Sequence, residues 1–220
     1  EAIGLSGHYN ARVIIENIFD LYGFNVIAQS DDFCINGDSF GKAQLKARLD
    51  SLKSDIRGTF TIRDKDLSML SKFNHYLHPA NGVDKKFTQV WTELRNFPCQ
   101  MLEYFAGESV TNTIGRFSSD FQIFGIPKSL HIDGMVSVDT FATTIDYLNS
   151  RINFANQQMS LKDSLMFVRD ALIKDLEGNI AIVNGGIRHD YLSNLAYQVN
   201  IQSDYFKALN TTKGMNQYFY

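Results

Sequence analysis

At 220 residues, 44% of them hydrophobic and 20% charged, the chain has ordinary globular composition and can bury a sizeable core. A net charge of −3 excludes a global attraction to polyanions, so a nucleic-acid partner would need a local basic surface. Two cysteines, Cys34 and Cys99, exclude a disulfide framework and fit a reducing compartment; no apolar run reaches the roughly 20 residues of a membrane-spanning helix, and no secretory signal pattern is present.

The chain begins at Glu1, which is expected of a processed product, a fragment or a piece of a larger polypeptide. The opening EAIGLSGHYNARVIIENIFDLYG reads as a Gly/Ser loop running into a helix, with Val13, Ile14, Ile18 and Leu21 on one face and Gly23 as its stop. FNVIAQSDDFCING follows, a strand-like alternation closed by Asn36-Gly37. It carries two adjacent carboxylates, Asp31 and Asp32, each of which raises the cost of ionising the other. The expected strands are 24–29 and 33–35, antiparallel, with Ser30 to Asp32 at or beside the turn.

DSFGKAQLKARLDSLKSDIRG predicts an amphipathic helix, with Leu45, Leu49, Leu52 and Ile56 on one face and lysines on the other. GTFTIRD alternates with period two and predicts a strand. LSMLSKFNHYL is either another strand or the start of a helix. From about Pro79 the texture predicts helices with short connections. KKFTQVWTELRNFPCQMLEYFAG forms two helical pieces broken near Pro98, and SLHIDGMVSVDTFATTIDYLNSRI a short extended piece and a helix from Asp139. SLKDSLMFVRDALIKDLEG has Ser160 and Asp163 in capping-box spacing, and Asn184-Gly185 favours a hairpin.

Paired carboxylates on a hairpin suit the binding of divalent metals for phosphoryl transfer, because magnesium takes oxygen ligands and neutralises their repulsion. The stretch Ser30, Asp31, Asp32, Phe33 resembles motif C of template-dependent polynucleotide polymerases, in the Ser-Asp-Asp form of certain RNA virus enzymes. Upstream, GLSGHYNARVIIENI is similar to motif B; downstream, TFTIRDKD resembles motif D and LSMLSKF motif E. The resemblance implies an α+β fold, with a partial right-hand polymerase palm at residues 1–78 and a mostly helical thumb at 79–220. It implies template-directed RNA synthesis by a viral RNA-dependent RNA polymerase using Mg2+ or Mn2+, in the host cytoplasm or the virion interior.

The implied catalytic residues are Asp31, Asp32 and Lys65, with Asp31 and Asp32 as metal ligands. Nucleotide and template binding would fall to Ser6, Gly7, Asn10, Asn17, Ser30 and Lys72. Where motif B usually has Thr and Asn, this chain has Ala11 and Ile15, with Asn10 and Asn17 as the nearest substitutes. Motif A is missing, so the remaining polymerase segments, the fingers and motif A, become expected partners beside RNA template, RNA product and nucleoside triphosphates. A viral capsid or nucleoprotein is a further expected partner, and no membrane span is expected. Asp133 and Asp139 have motif-A-like spacing, read alternatively as a loop aspartate and a helix N-cap. Lys72, Lys85, Lys86, Arg95 and Arg116 are expected to line one groove opening onto the aspartates. His75 and His78 lack the companions of a zinc site. The alternatives are a reverse transcriptase palm and thumb, or a non-enzymatic helical structural or virion protein.

Overall fold

The structure, a computed structural model, describes residues 3–16, 23–50, 55–77, 87–106, 109–190 and 193–212. These residues form one 13-stranded antiparallel sheet. In chain order the strands are β1 (Leu5–Ser6), β2 (Tyr9–Glu16), β3 (Gly23–Ile35), β4 (Asp38–Asp50), β5 (Asp55–Asp64), β6 (Leu67–Tyr76) and β7 (Phe87–Pro98). A single turn-and-a-half helix, α1 (Met101–Ala106), precedes β8 (Val110–Ile126), β9 (Ser129–Ile145), β10 (Ser150–Lys162), β11 (Leu165–Lys174), β12 (Ile180–Asp190) and β13 (Ser193–Gln202). Beyond β3 every strand pairs with its sequence neighbours; β1 and β2 lie one after the other along the free edge of β3.

This architecture corrects the expected α+β fold. The helix expected around Val13 is β2, and the expected amphipathic helix at Leu45 and Leu49 is β4. In β4 the apolar side is Ala43, Leu45, Ala47 and Leu49, alternating with Gln44, Lys46 and Arg48. Counting leucines alone gives a helical spacing, while counting the alanines with them restores period two. The helical thumb is absent among the described residues: its expected helices are the hairpins of β7 to β12, with α1 and a 3-10 turn at Asp146–Leu148 as short exceptions. Ser160 and Asp163 cap no helix, since Asp163-Ser164 is a tight connection between paired Lys162 and Leu165. Asn184-Gly185 is no turn but lies within β12. The boundary expected at residue 78 separates β6 from β7, which pair from Ser68↔Arg95 to Tyr76↔Phe87. Ile18, Leu21, Leu52 and His78 fall outside the described residues.

Several local readings do match. GTFTIRD lies in β5, LSMLSKFNHY is β6, and Asn36-Gly37 makes the β3–β4 turn with φ of 50° and 91°. Positive φ at both central residues is what a type I′ hairpin needs, and Asn and Gly are the residues that tolerate it.

The register divides the sheet into two faces. One cross-strand row reads Ala11, Ala28, Leu45, Phe60, Ser71, Thr92, Phe121, Gly134, Leu161, Met166, Ile187 from β2 to β12. The row one residue over reads Ile27, Lys46, Thr59, Lys72, Trp91, Gln122, Asp133, Lys162. Successive side chains of a strand point to opposite faces, so the first row belongs to an apolar inner face and the second to a polar outer face.

The sheet curls around its inner face. Phe40 on β4 and Phe97 on β7 have ring centroids 5.9 Å apart. Three strand spacings would hold them about 14 Å apart in a flat sheet. Together with Phe33, Ala43, Ile62 and Leu67 they form a buried cluster onto which Met101 of α1 packs.

Candidate functional site

The paired aspartates lie at an irregularity of the β3–β4 ladder. Pairing of β3 with β4 runs regularly to Ser30↔Ala43 and resumes at Phe33↔Gly41. Asp31 and Asp32 together therefore face the single residue Lys42, which is a β-bulge. They lie within one continuous strand, not at the hairpin tip. The bulge sends the two carboxylates to different partners: Asp31 is 3.3 Å from Lys42 Nζ, and Asp32 Oδ2 is 2.5 Å from His8 Nδ1. The His8 backbone N–H also donates to Asp32 Oδ1 at 2.7 Å, and Ser30 Oγ donates to the same oxygen at 3.1 Å. The hydrogen bond from the His8 ring, with help from its backbone N–H and Ser30, lowers the Asp32 pKa to about 2. The same hydrogen bond and charge raise that of His8. Both residues are well exposed, so this is a surface clasp that ties the start of the chain to β3.

The other sequence-selected residues scatter. Ser6 pairs with Cys34 in β1, and Gly7 takes φ of 133° where a Cβ would sit 2.7 Å from the Asp32 carbonyl oxygen. Asn10 is exposed on β2, opposite Gln29; Asn17 lies outside the described residues. Ser30 is buried and spends its hydroxyl on Asp32. Lys65 sits exposed in the β5–β6 connection with φ of 47°. Lys72 is exposed on the outer face between Thr59 and Trp91. Arg95 pairs with Asp120 at 2.7 Å, and Arg116 donates to the Asn96 carbonyl at 3.1 Å; Lys85 and Lys86 lie outside the described residues. Asp133 pairs with Lys162 at 3.3 Å, and His75 with Thr88 at 2.8 Å. Among the described residues no group of three or more His, Cys, Asp or Glu could hold a metal ion.

These placements carry no palm. A polymerase palm needs its aspartate hairpin backed by helices and followed by a thumb, and here a single sheet meander occupies the whole described chain. The polymerase reading, its reverse transcriptase variant and the helical structural protein are therefore all set aside.

What the sequence reading missed is the inner face itself. Its polar members are satisfied within the protein: Ser71 bonds Thr92 at 3.0 Å, Thr113 bonds Thr143 at 2.7 Å, and Ser119 Oγ donates to the Met135 carbonyl at 2.9 Å. Most of its apolar members are half-buried, among them Val26, Leu45, Phe60, Phe73, Val90, Phe121 and Met166. The accessible surface of 14356 Å² exceeds the about 10,200 Å² expected of a compact monomer of this mass. At the β9–β13 end the face encloses a cavity of about 290 Å³, lined by Ile152, Phe154, Val168, Ala171, Ile173, Val183 and Ile201 among others. Residues 203–212 fold back over this cavity and contribute Phe206 and Ala208 to its wall. This strap is held by buried polar groups: Lys207 N–H donates to Asp175 Oδ2 at 2.9 Å, and Ser150 Oγ donates to the Lys207 carbonyl at 3.2 Å. Burial opposes ionisation of Asp175, but donors from Lys207, Asn179 and Glu177 outweigh it and hold its pKa at about 2.

No described helix is long and apolar enough to cross a membrane. No protein family, no curated protein and no solved structure matches the chain.

Proposed function

We propose that this protein is a non-enzymatic trough that binds the acyl chains of amphiphiles along its inner face. The observation that carries the reading is the cross-strand row from Ala11 to Ile187, apolar but for Ser71 and Thr92, whose hydroxyls bond each other, set on a curled sheet whose other face is more polar. An acyl chain suits this surface better than a polypeptide does. A peptide laid on it would bring backbone N–H and C=O groups to a face whose own polar groups already bond one another, and each unpaired group would cost roughly 1–3 kcal/mol. An acyl chain brings no such groups and gains about 0.8 kcal/mol per buried methylene.

The test is binding of cis-parinaric acid, whose fluorescence rises in an apolar site. Phe121→Glu on the inner face should weaken binding by at least roughly tenfold, the equivalent of about 1.4 kcal/mol. Lys46→Glu on the outer face should leave it unchanged. Equal loss in both variants, or no binding by the unaltered protein, would sink the reading.

A further inference from the structure

The β10–β11 ladder differs from its neighbours. It is paired at one end by Asn153↔Lys174 and at the other by Ser160↔Phe167, Leu161↔Met166 and Lys162↔Leu165. All four pairs keep one register, yet residues 154–159 and 168–173 between them are not paired with each other. Each strand carries a left-handed residue within this stretch. Asn156 takes φ of 53° and Asp170 φ of 49°, and Asp170 directs its backbone N–H to the Asn184 side chain on β12 instead of to β10. The sheet thus has a split seam in the middle of an otherwise continuous wall.

The seam lies against the apolar cavity. Ala171 and Ile173 of β11 line that cavity from the inner side. A second pocket of about 530 Å³, lined by Leu172 and Lys174 of the same strand, lies on the opposite side. Phe154 and Gln157 of β10 line both. The inner mouth of the cavity is covered by the strap through Phe206 and Ala208. A dry apolar cavity of about 150 Å³ already accepts benzene, so one of about 290 Å³ has room for an acyl chain end.

We propose that the β10–β11 seam is a lateral port, through which the end of an acyl chain passes from the outer face into the strap-covered cavity, with Phe154 and Gln157 at the threshold. This rests on the acyl-binding reading and adds a route to it. Opening the port breaks no ladder pairs beyond those already missing, so it needs only side-chain motion of the two threshold residues and a small separation of the strands.

The experiment staples the seam. Continuing the register from Asn153↔Lys174 puts Ala155 across from Leu172, and both are exposed, so Ala155→Cys with Leu172→Cys places a disulfide across the seam on the outer face, away from the core. It is made in a Cys34→Ser background, and uptake of cis-parinaric acid is followed by stopped flow in the oxidised and reduced states. The expected result is uptake slowed at least roughly tenfold on oxidation and restored on reduction. Equal rates in both states, with binding still weakened by Phe121→Glu, would overturn the port and leave the trough standing. No binding by the unaltered protein would overturn both. Hydrogen exchange on the unaltered chain gives an independent reading if the double variant does not fold. Those amides of 154–159 and 168–173 that point across the seam, not into the β9 or β12 ladder, should exchange at least roughly tenfold faster than those of β4 and β5, and equal protection would refute the seam.

Discussion

At the scale of single residues, charge placement in this molecule is local and reciprocal. His8 and Asp32 illustrate it, for each carries the shift that the other causes. Asp32 ionises well below the ordinary carboxylate range, so its contribution is present above about pH 3.9 and is lost as pH falls towards 2. The raised pKa of His8 works in the other direction: its contribution is complete below about pH 6.5 and fades as pH rises through the raised value. The clasp on the first strand should therefore be tightest between roughly pH 4 and 6.5. Proton NMR titration of the His8 ring should show a pKa above the ordinary histidine value, returning to it in Asp32→Asn. An unchanged titration in that variant would mean that the ion pair does not form in solution. Adjacent carboxylates were legible in the sequence as something needing compensation. The nature of the compensation was not, because His8 and Lys42 reach them only through the pairing of three strands.

At the scale of elements, the bulges explain both how the strands work and why they were hard to read. Phe97 belongs to the buried cluster and Leu94 packs against it, although they stand three positions apart, because the ladder shifts register between them at Asn96, φ 57°. Val168 and Ala171 likewise both line the cavity, with the register shift at Asp170 between them. An inserted residue turns an i, i+2 spacing into i, i+3, which on paper is a helical spacing. That is the origin of the helices expected at Trp91 and along the stretch from Leu165 to Lys174. Where no bulge intervenes, as in GTFTIRD, the alternation was legible and the strand was read correctly. Asp170→Val places a β-branched residue where φ is 49°, which it does not tolerate; forcing the strand out of the bulge into plain alternation should turn Ala171 and Ile173 to the outer face. The expected cost is about 2–5 kcal/mol from the lost apolar burial, measured by urea unfolding. An Asp170→Val variant as stable as the unaltered chain would show that the bulge does not set the phase of β11.

At the scale of the whole molecule, the sheet is broad for its mass. Eleven strand spacings separate β2 from β13, about 53 Å measured along the curved sheet. A compact protein of 220 residues has a radius of gyration of about 17 Å. Small-angle scattering should give a clearly larger value, and a result at the compact figure would mean that the trough closes on itself in solution. Composition could not have revealed this shape, since an amphipathic sheet and a compact sandwich use the same residues in the same proportions. The distinction lies in whether a second layer covers the inner face, and only the partial burial of residues such as Phe60 and Phe121 reports on that.

The neighbour-only order of the strands makes the molecule mechanically anisotropic. Along a strand, stretching works against covalent backbone and is stiff. Across the strands, a load passes through the ladders in series, and each can twist slightly without losing its bonds. The width of the trough can therefore change through many small rotations shared among ladders, with no hinge residue and no broken pair. A load large enough to part the sheet would do so first where the series is weakest, at the half-paired junction of β10 and β11.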